Sequence, residues 1–145
     1  MTRRVVITGA AGFTGLGNDW QSIRAGLKQG RSSVRHMDDW AKIRGLKSHL
    51  GAPVPDFELP PHYTRKRVRT MGRNAQFAVR SAEIALEQAG LLHDPVLTSG
   101  RTGVSYGSSS GSSAALIEMA HILVSNTARK VNATSYMRLM GHTAA

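Results

Sequence analysis

The residues that follow the first apolar run could bind a phosphate group. The β-branched run from Val5 to Thr8 is followed by glycines at positions 9, 12 and 15. Such a run favours a strand, and glycine lets backbone N–H groups approach a phosphate because no Cβ intervenes. A strand, a glycine loop and a helix N-terminus in this order can bind the pyrophosphate of a dinucleotide. The spacing Gly9-x-x-Gly12-x-x-Gly15 therefore predicts, as one alternative, an NAD(P)-binding loop.

The rest of the chain disfavours this nucleotide site. The short-chain dehydrogenases, whose loop the glycine spacing resembles, need a Tyr-x-x-x-Lys pair. The residues four positions after the three tyrosines are instead Arg67, Ser110 and Met140. In addition, no strand-like run precedes Asp38 and Asp39, where a ribose-binding acid would be expected. A dehydrogenase-like nucleotide-binding domain is therefore the weaker alternative.

A second candidate for chemistry is the serine loop from Gly107 to Gly111. Its sequence, Gly-Ser-Ser-Ser-Gly, formally fits the Gly-x-Ser-x-Gly turn that exposes a nucleophilic serine, here Ser109. However, no Asp and His follow it in the order that such hydrolases use. The loop also lacks the Gly-Lys-Ser/Thr of a P-loop. We interpret the match as accidental.

Cysteine and metal chemistry are constrained as well. The chain has no cysteine, which excludes a thiolate nucleophile, a disulfide or a cysteine metal site within these residues. His36, His49 and His62 are scattered through a long irregular stretch, residues 31–64, without metal-ligand spacing. We therefore predict no metal site and interpret these histidines as solvated loop residues.

The strongest charge feature is the segment RKRVRTMGR, from Arg65 to Arg73. It places five basic residues in nine positions without an acid, in a chain whose net charge is +10. This cluster could simply be a solvated lead-in to a helix, or it could bind an acidic partner. Nucleic acid is disfavoured because Tyr63 and Phe77 are the only nearby aromatic residues for base stacking. An acidic protein fits the cluster better.

Hydrophobic periodicity indicates the elements that must position these residues. It predicts helices at about 19–29, 73–89, 113–125 and 134–145, and strands at about 3–8 and 102–107. The helix over 73–89 is the most regular, with alanines along one face and Gly90 after its end. Its polar residues predict a narrow solvated edge, formed by Gln76, Arg80, Glu83 and Glu87.

Length and composition bound the remaining possibilities. A chain of 145 residues with 41% hydrophobic residues can form one domain or part of a larger one. No apolar run is long enough to span a bilayer, and no signal-peptide core follows Arg3 and Arg4, so a cytoplasmic protein is expected. Because the last helical pattern stops without a glycine, a proline or a basic final turn, we expect a fragment.

Several segments together resemble the N-terminal part of the β-ketoacyl-acyl-carrier-protein synthases, the condensing enzymes of fatty-acid synthesis. They are VVITG, LGND, KRVRTMGRNAQFAVRSAEIALEQAGL, GRTGVSYGSSSGS and SYMRLMGHTAA, in the family's order across residues 1–145. The chain departs from the family's pattern at three positions, the first being the second glycine of the opening loop, which is displaced to Gly12. Gly15 stands where the family usually has a proline, and Gly72 replaces an acid before the central helix.

The resemblance implies an α/β, thiolase-like fold, layered α-β-α-β-α with mixed sheets, of which residues 1–145 are an incomplete N-terminal portion. It also implies an acyltransferase that condenses an acyl thioester with malonyl thioester, using a cysteine and two histidines. None of these three lies in this chain, so His121 and His142 are not assigned to catalysis. No cofactor is implied, since the substrates are carried on the phosphopantetheine of acyl carrier protein.

The resemblance also implies partners and two groups of site residues. Lys66 and Arg69, with their neighbours Arg65 and Arg67, match basic positions that face the acidic acyl carrier protein. Ser110 matches a loop position that lines the acyl pocket. The family is usually dimeric, so a homodimer is expected for the whole protein. A non-catalytic carrier-protein-binding module remains the other alternative.

Overall fold

The computed structural model of the chain describes residues 3–128 and 131–141. These residues fall into two compact units. The segment Ala11–Glu58 forms one unit. The other joins the segment up to Ala10 with the chain from Leu59 onward.

The unit Ala11–Glu58 begins with helix α1, Trp20–Lys28. Asp19 caps this helix, since its carboxylate accepts hydrogen bonds from the Ser22 backbone N–H at 2.8 Å and from the Ser22 hydroxyl at 2.7 Å. Both bonds lower the pKa of Asp19, and the bond from the hydroxyl has the larger effect. The chain leaves the helix through Gly30, whose φ of 63° suits glycine. The helix predicted at about 19–29 is therefore present, one residue shorter at each end.

Residues 31–64, which we predicted to be irregular, contain a small two-stranded sheet. Strand β1, Arg35–His36, pairs antiparallel with strand β2, Leu50–Gly51, and helix α2, Asp38–Ala41, lies between them in sequence. Gly51 lies so close to the Trp40 ring that an added Cβ would be 3.0 Å from it. Two-residue strands give almost no alternating pattern, which is why the sequence did not indicate them.

The other unit is mainly helical. It contains helix α3, Arg65–Val68, helix α4, Arg73–Gln88, a 3-10 turn at Pro95–Thr98, helix α5, Ser113–Ser125, and helix α6, Ala133–Leu139. Helices α5 and α6 pack together around Ala115 and Ser135, both of which are fully buried. The Ser135 hydroxyl donates to Glu118 at 2.7 Å, and Arg138 donates to the same carboxylate oxygen at 2.9 Å. Because burial of an unpaired hydroxyl is costly, this network fixes the register of the two helices.

The strands predicted at 3–8 and 102–107 are not formed among the described residues. Val5, Ile7 and Val104 are 96%, 89% and 78% exposed, so these segments have neither a paired edge nor a covered face. A strand exists only where a neighbour completes its hydrogen-bond ladder, and composition alone does not supply that neighbour.

The helix predicted at 134–145 is shorter than expected. It ends at Leu139, because Met140 adopts extended backbone angles. The Arg138 carbonyl accepts a hydrogen bond from the Ser112 N–H at 2.9 Å, which ties the end of α6 to the start of α5. Residues 142–145 lie outside the described part of the chain. Within that part, no helix is long and apolar enough to cross a membrane.

The serine loop provides a test of this packing. An added Cβ at Gly111 would lie 1.8 Å from the Leu139 carbonyl oxygen, whereas at Gly107 it would meet nothing within 4 Å. We expect Gly111→Ala to lower the free energy of unfolding by about 3 kcal/mol or more, because the opposing atom is backbone and cannot rotate away. Gly107→Ala is the matched control and should change it by less than about 1 kcal/mol. Urea unfolding of both variants measures the difference, and equal stabilities would contradict the close approach.

Candidate functional site

The basic cluster begins in helix α3. Thr64 caps the helix, its side chain accepting from the Arg67 N–H. The helix has four residues and none of them is buried. Arg65, Lys66, Arg67 and Arg69 are all exposed to solvent. A solvent-facing group of cations without an acid among them forms an anion-attracting surface.

A carboxylate cluster lies directly behind this helix. Glu83, on α4, accepts hydrogen bonds from His62 at 2.7 Å, from the Tyr63 hydroxyl at 2.8 Å and from Arg80 at 2.5 Å. The Glu83 side chain is only 15% exposed, and Tyr63 is buried. The predicted solvated edge of α4 was therefore wrong at Glu83, because three donors enclose its carboxylate.

The pKa values of this cluster reflect its hydrogen bonds. Burial raises the pKa of Glu83, but the hydrogen bonds from Arg80, Tyr63 and His62 together outweigh burial, so the pKa lies below its usual value. Burial, reinforced by the hydrogen bond to Glu83, raises the pKa of Tyr63 to about 12. Glu83 therefore remains an anion and Tyr63 a neutral donor over the physiological range.

Tyr63 also connects this cluster to the basic surface. The Arg67 guanidinium lies over the Tyr63 ring, 4.7 Å from its centroid, in a cation–π contact. By contrast, the side chains of Arg65, Lys66 and Arg69 form no hydrogen bond or ion pair with any residue in the described ranges. The side chains of Arg65, Lys66 and Arg69 are thus available to a partner, whereas that of Arg67 packs on the Tyr63 ring.

The serine loop is held by Asn74, near the start of α4. The Asn74 side-chain amide donates to the Ser110 carbonyl at 2.8 Å and to the Gly111 carbonyl at 3.3 Å. The Ser108 hydroxyl donates to the same Ser110 carbonyl at 2.6 Å. Ser110 itself is exposed, so its side chain is accessible at the loop surface. The sequence did not indicate Asn74, because its partners are 36 and 37 residues away.

An apolar groove of about 1090 Å³ runs along α4 in the same unit. Its apolar wall is formed chiefly by Tyr63, Ala78, Val79, Ala82, Leu86, Leu97, Val104 and Tyr106. Glu83 lies in this lining, beside His62 and Arg67. The carboxylate cluster and Arg67 of the basic surface therefore both border this groove.

The first glycine of the proposed nucleotide loop has a different role. An added Cβ at Gly9 would lie 2.0 Å from the Ala85 carbonyl oxygen on α4. The Ala10 N–H, next to it, donates to the Gln88 side chain at 3.0 Å. Backbone that packs against a helix in this way cannot also surround a phosphate. The NAD(P)-binding alternative therefore does not fit.

The histidines of residues 31–64 each have a separate polar or aromatic contact. His36 contacts Asp38 at 3.1 Å and stacks edge-on against His49, with ring centroids 5.7 Å apart. No group of three or more His, Asp or Glu side chains suited to a metal ion occurs among the described residues. His62, which we interpreted as a solvated loop residue, is exposed and in addition pairs with Glu83 at 2.7 Å.

The fold is that of the condensing enzymes. The crystal structure of a beta-ketoacyl synthase from Burkholderia phymatum STM815 is 44% identical in sequence, with a TM-score of 0.89. The match covers 99% of this chain and 35% of that one. The family model for the beta-ketoacyl synthase N-terminal domain matches residues 2–145, so the chain belongs to the beta-ketoacyl synthase family. The family and the fold class predicted from the sequence are confirmed.

Curated relatives carry two kinds of name. Nodulation protein E of Rhizobium meliloti (strain 1021) is 42% identical over 92 residues, which are 63% of this chain and 22% of that protein. The 3-oxoacyl-[acyl-carrier-protein] synthase 1 of Haemophilus influenzae is 35% identical over 112 residues, which are 76% of this chain and 26% of that protein. The matched region thus spans about a quarter of the length of these relatives.

The raised pKa of Tyr63 can be measured directly. A tyrosine outside such a cluster titrates near 10, whereas Tyr63 should titrate near 12. Because the folded-state pKa exceeds the unfolded one, the associated stability is present below about pH 10 and is lost between about pH 10 and 12. Absorbance titration of the phenolate should show this late step, and Tyr63→Phe should remove it. An identical high-pH step in both proteins would contradict the raised pKa of Tyr63.

Proposed function

We propose that these residues form the N-terminal part of a β-ketoacyl-acyl-carrier-protein synthase. The whole protein would join an acyl thioester to malonyl-acyl carrier protein by decarboxylative Claisen condensation in fatty-acid biosynthesis. Membership of the beta-ketoacyl synthase family across residues 2–145 carries this proposal. The relatives named 3-oxoacyl-[acyl-carrier-protein] synthase support it.

The division of labour within such an enzyme follows from its chemistry. A thiolate is both a good nucleophile and a good leaving group, so the acyl group would be held on a cysteine. Imidazoles would stabilise the charge that develops as malonyl thioester loses carbon dioxide. Since the chain has no cysteine, its own residues would act in binding rather than in bond formation.

We assign carrier-protein binding to the exposed cations of Arg65, Lys66, Arg67 and Arg69. Acyl carrier protein is proposed as the acidic partner, because its surface charge and its phosphopantetheine phosphate would complement these cations. Ser110, exposed in a loop that Asn74 holds in place, is proposed to line the acyl pocket. A homodimer and a cytoplasmic location are further parts of this proposal.

A second candidate is a non-catalytic module that binds carrier proteins. The exposed cations support it, because they would serve carrier binding without any bond formation. Reading the gene beyond the codon for Ala145 and assaying its full product for condensation distinguishes the two candidates. A downstream cysteine whose substitution abolishes condensation would establish the synthase. A full product that binds the carrier but condenses nothing would establish the binding module.

Charge reversal in α3 tests the assigned surface. In the full gene product, Lys66→Glu or Arg69→Glu should raise the KM for malonyl-acyl carrier protein about tenfold with little change in kcat, because long-range attraction is reversed locally. Added salt should shrink the difference, since exposed charges are screened.

Lys47→Glu is the matched control for charge reversal. Lys47 is exposed and lies outside the basic cluster, and its substitution changes the net charge by the same amount. Its KM should stay within about twofold of the wild type if the local surface matters. An equal rise in KM for Lys47→Glu would mean that net charge alone, and not the surface on α3, attracts the carrier.

A further inference from the structure

Helix α3 is too short to hold its own position. Four residues complete barely one turn, and isolated helices of that length are unstable in water. None of its residues is buried, so packing of its own side chains contributes little to its position. Its cations, Arg65, Lys66 and Arg67, also repel one another. The direction in which they point must therefore be set by the segments on either side.

The segment before α3 is fixed by Glu83. A turn places the Tyr63 N–H on the Pro60 carbonyl at 2.9 Å, which directs the His62 and Tyr63 side chains to the same carboxylate. Tyr63 is 7% exposed and cannot leave without losing both burial and its hydrogen bond. On the other side of α3, the Gln76 amide donates to the Met71 carbonyl at 3.3 Å. Helix α4 therefore holds both flanks of the short helix.

Arg80 gives this arrangement its rigidity. It lies one turn before Glu83 on α4 and donates to the same carboxylate oxygen as Tyr63. A charge-assisted bond within one helix fixes the orientation of the acceptor, so the donors from the loop meet a preset geometry. The Tyr63 ring then supports the Arg67 guanidinium at 4.7 Å. Contacts thus run from α4 through Glu83 and Tyr63 to a cation of the binding surface.

We propose that Glu83 is a positioning residue for carrier binding: through His62 and Tyr63 it orients the basic helix α3 toward the acidic partner. This inference rests on the proposed function, because it concerns the same surface. It predicts a change in binding opposite to the change expected from charge alone. An acid beside a cationic surface weakens attraction for an acidic partner, so its removal by electrostatics alone should improve binding. A positioning role has the opposite consequence.

The sign of the change in KM is therefore the test. In the full gene product, Glu83→Ala should raise the KM for malonyl-acyl carrier protein about tenfold, because the loop that carries the cations loses its anchor. The kcat with the carrier, and turnover of a small acyl-pantetheine thioester that needs no docking, should remain within about twofold. A general loss of structure would lower both.

Glu87→Ala is the matched control on the same helix. Glu87 is exposed, so its substitution removes the same charge without disturbing a cluster. It should leave KM unchanged or slightly lower it. Tyr63→Phe removes only a hydroxyl and keeps the ring under Arg67, and it should raise KM by about threefold. This milder variant decides the question if Glu83→Ala does not yield folded protein.

The outcomes separate the two proposals. If Lys66→Glu raises KM while Glu83→Ala and Tyr63→Phe behave like Glu87→Ala, the surface is correct and Glu83 has no positioning role. Loss of small-thioester turnover in parallel with carrier turnover would make Glu83 a structural residue and overturn the inference. If Lys66→Glu leaves KM unchanged, the assigned surface is wrong and the positioning role falls with it.

Discussion

A single half-buried carboxylate, that of Glu83, organises the loop that leads into helix α3. Once Glu83 is enclosed, its charge must be balanced by donors, since an unpaired buried anion is strongly unfavourable. Three donors meet it, from a loop and from its own helix. The pairing that removes this cost also fixes where the loop lies. The hydrogen bonds to Glu83 therefore compensate the burial of its charge and also hold the loop that leads to the cations.

Close backbone approach is the second constraint on this unit. Gly9 lies against the Ala85 carbonyl, Gly72 against Ser112, and Gly111 against the Leu139 carbonyl. None of these three glycines has a positive φ. Glycine is needed at each position because a Cβ would clash with the opposing atoms. The glycine at position 72, which departs from the family's usual acid, has the same role. Glycine there admits the serine loop to the start of α4, which lets Asn74 reach the Ser110 and Gly111 carbonyls.

The sequence predicted what depends on neighbours in the chain and missed what depends on distant partners. Helices α1, α4 and α5 lie within one or two residues of their expected bounds, because caps and apolar periodicity are local signals. The segments 3–8 and 102–107 have strand-like composition, yet a ladder needs a partner strand. The same limit applies to Glu83. The sequence pattern placed it on a solvated edge of α4, and nothing local linked it to His62 and Tyr63, about twenty residues earlier.

The segments 3–8 and 102–107 lack a partner strand, and an apolar groove lies along α4. Both have a common explanation, which is that the chain matches only part of a related structure. This chain corresponds to 35% of the beta-ketoacyl synthase structure that it resembles, and that fold is layered. Layers are stabilised by burial of each apolar face against the next, so an inner layer taken alone leaves apolar surface exposed. Val5, Ile7 and Val104 show this exposure. The Glu83 cluster differs because all its donors come from within the unit. Its hydrogen bonds are therefore satisfied within these residues, whereas the segments 3–8 and 102–107 have no paired strand in the described part of the chain.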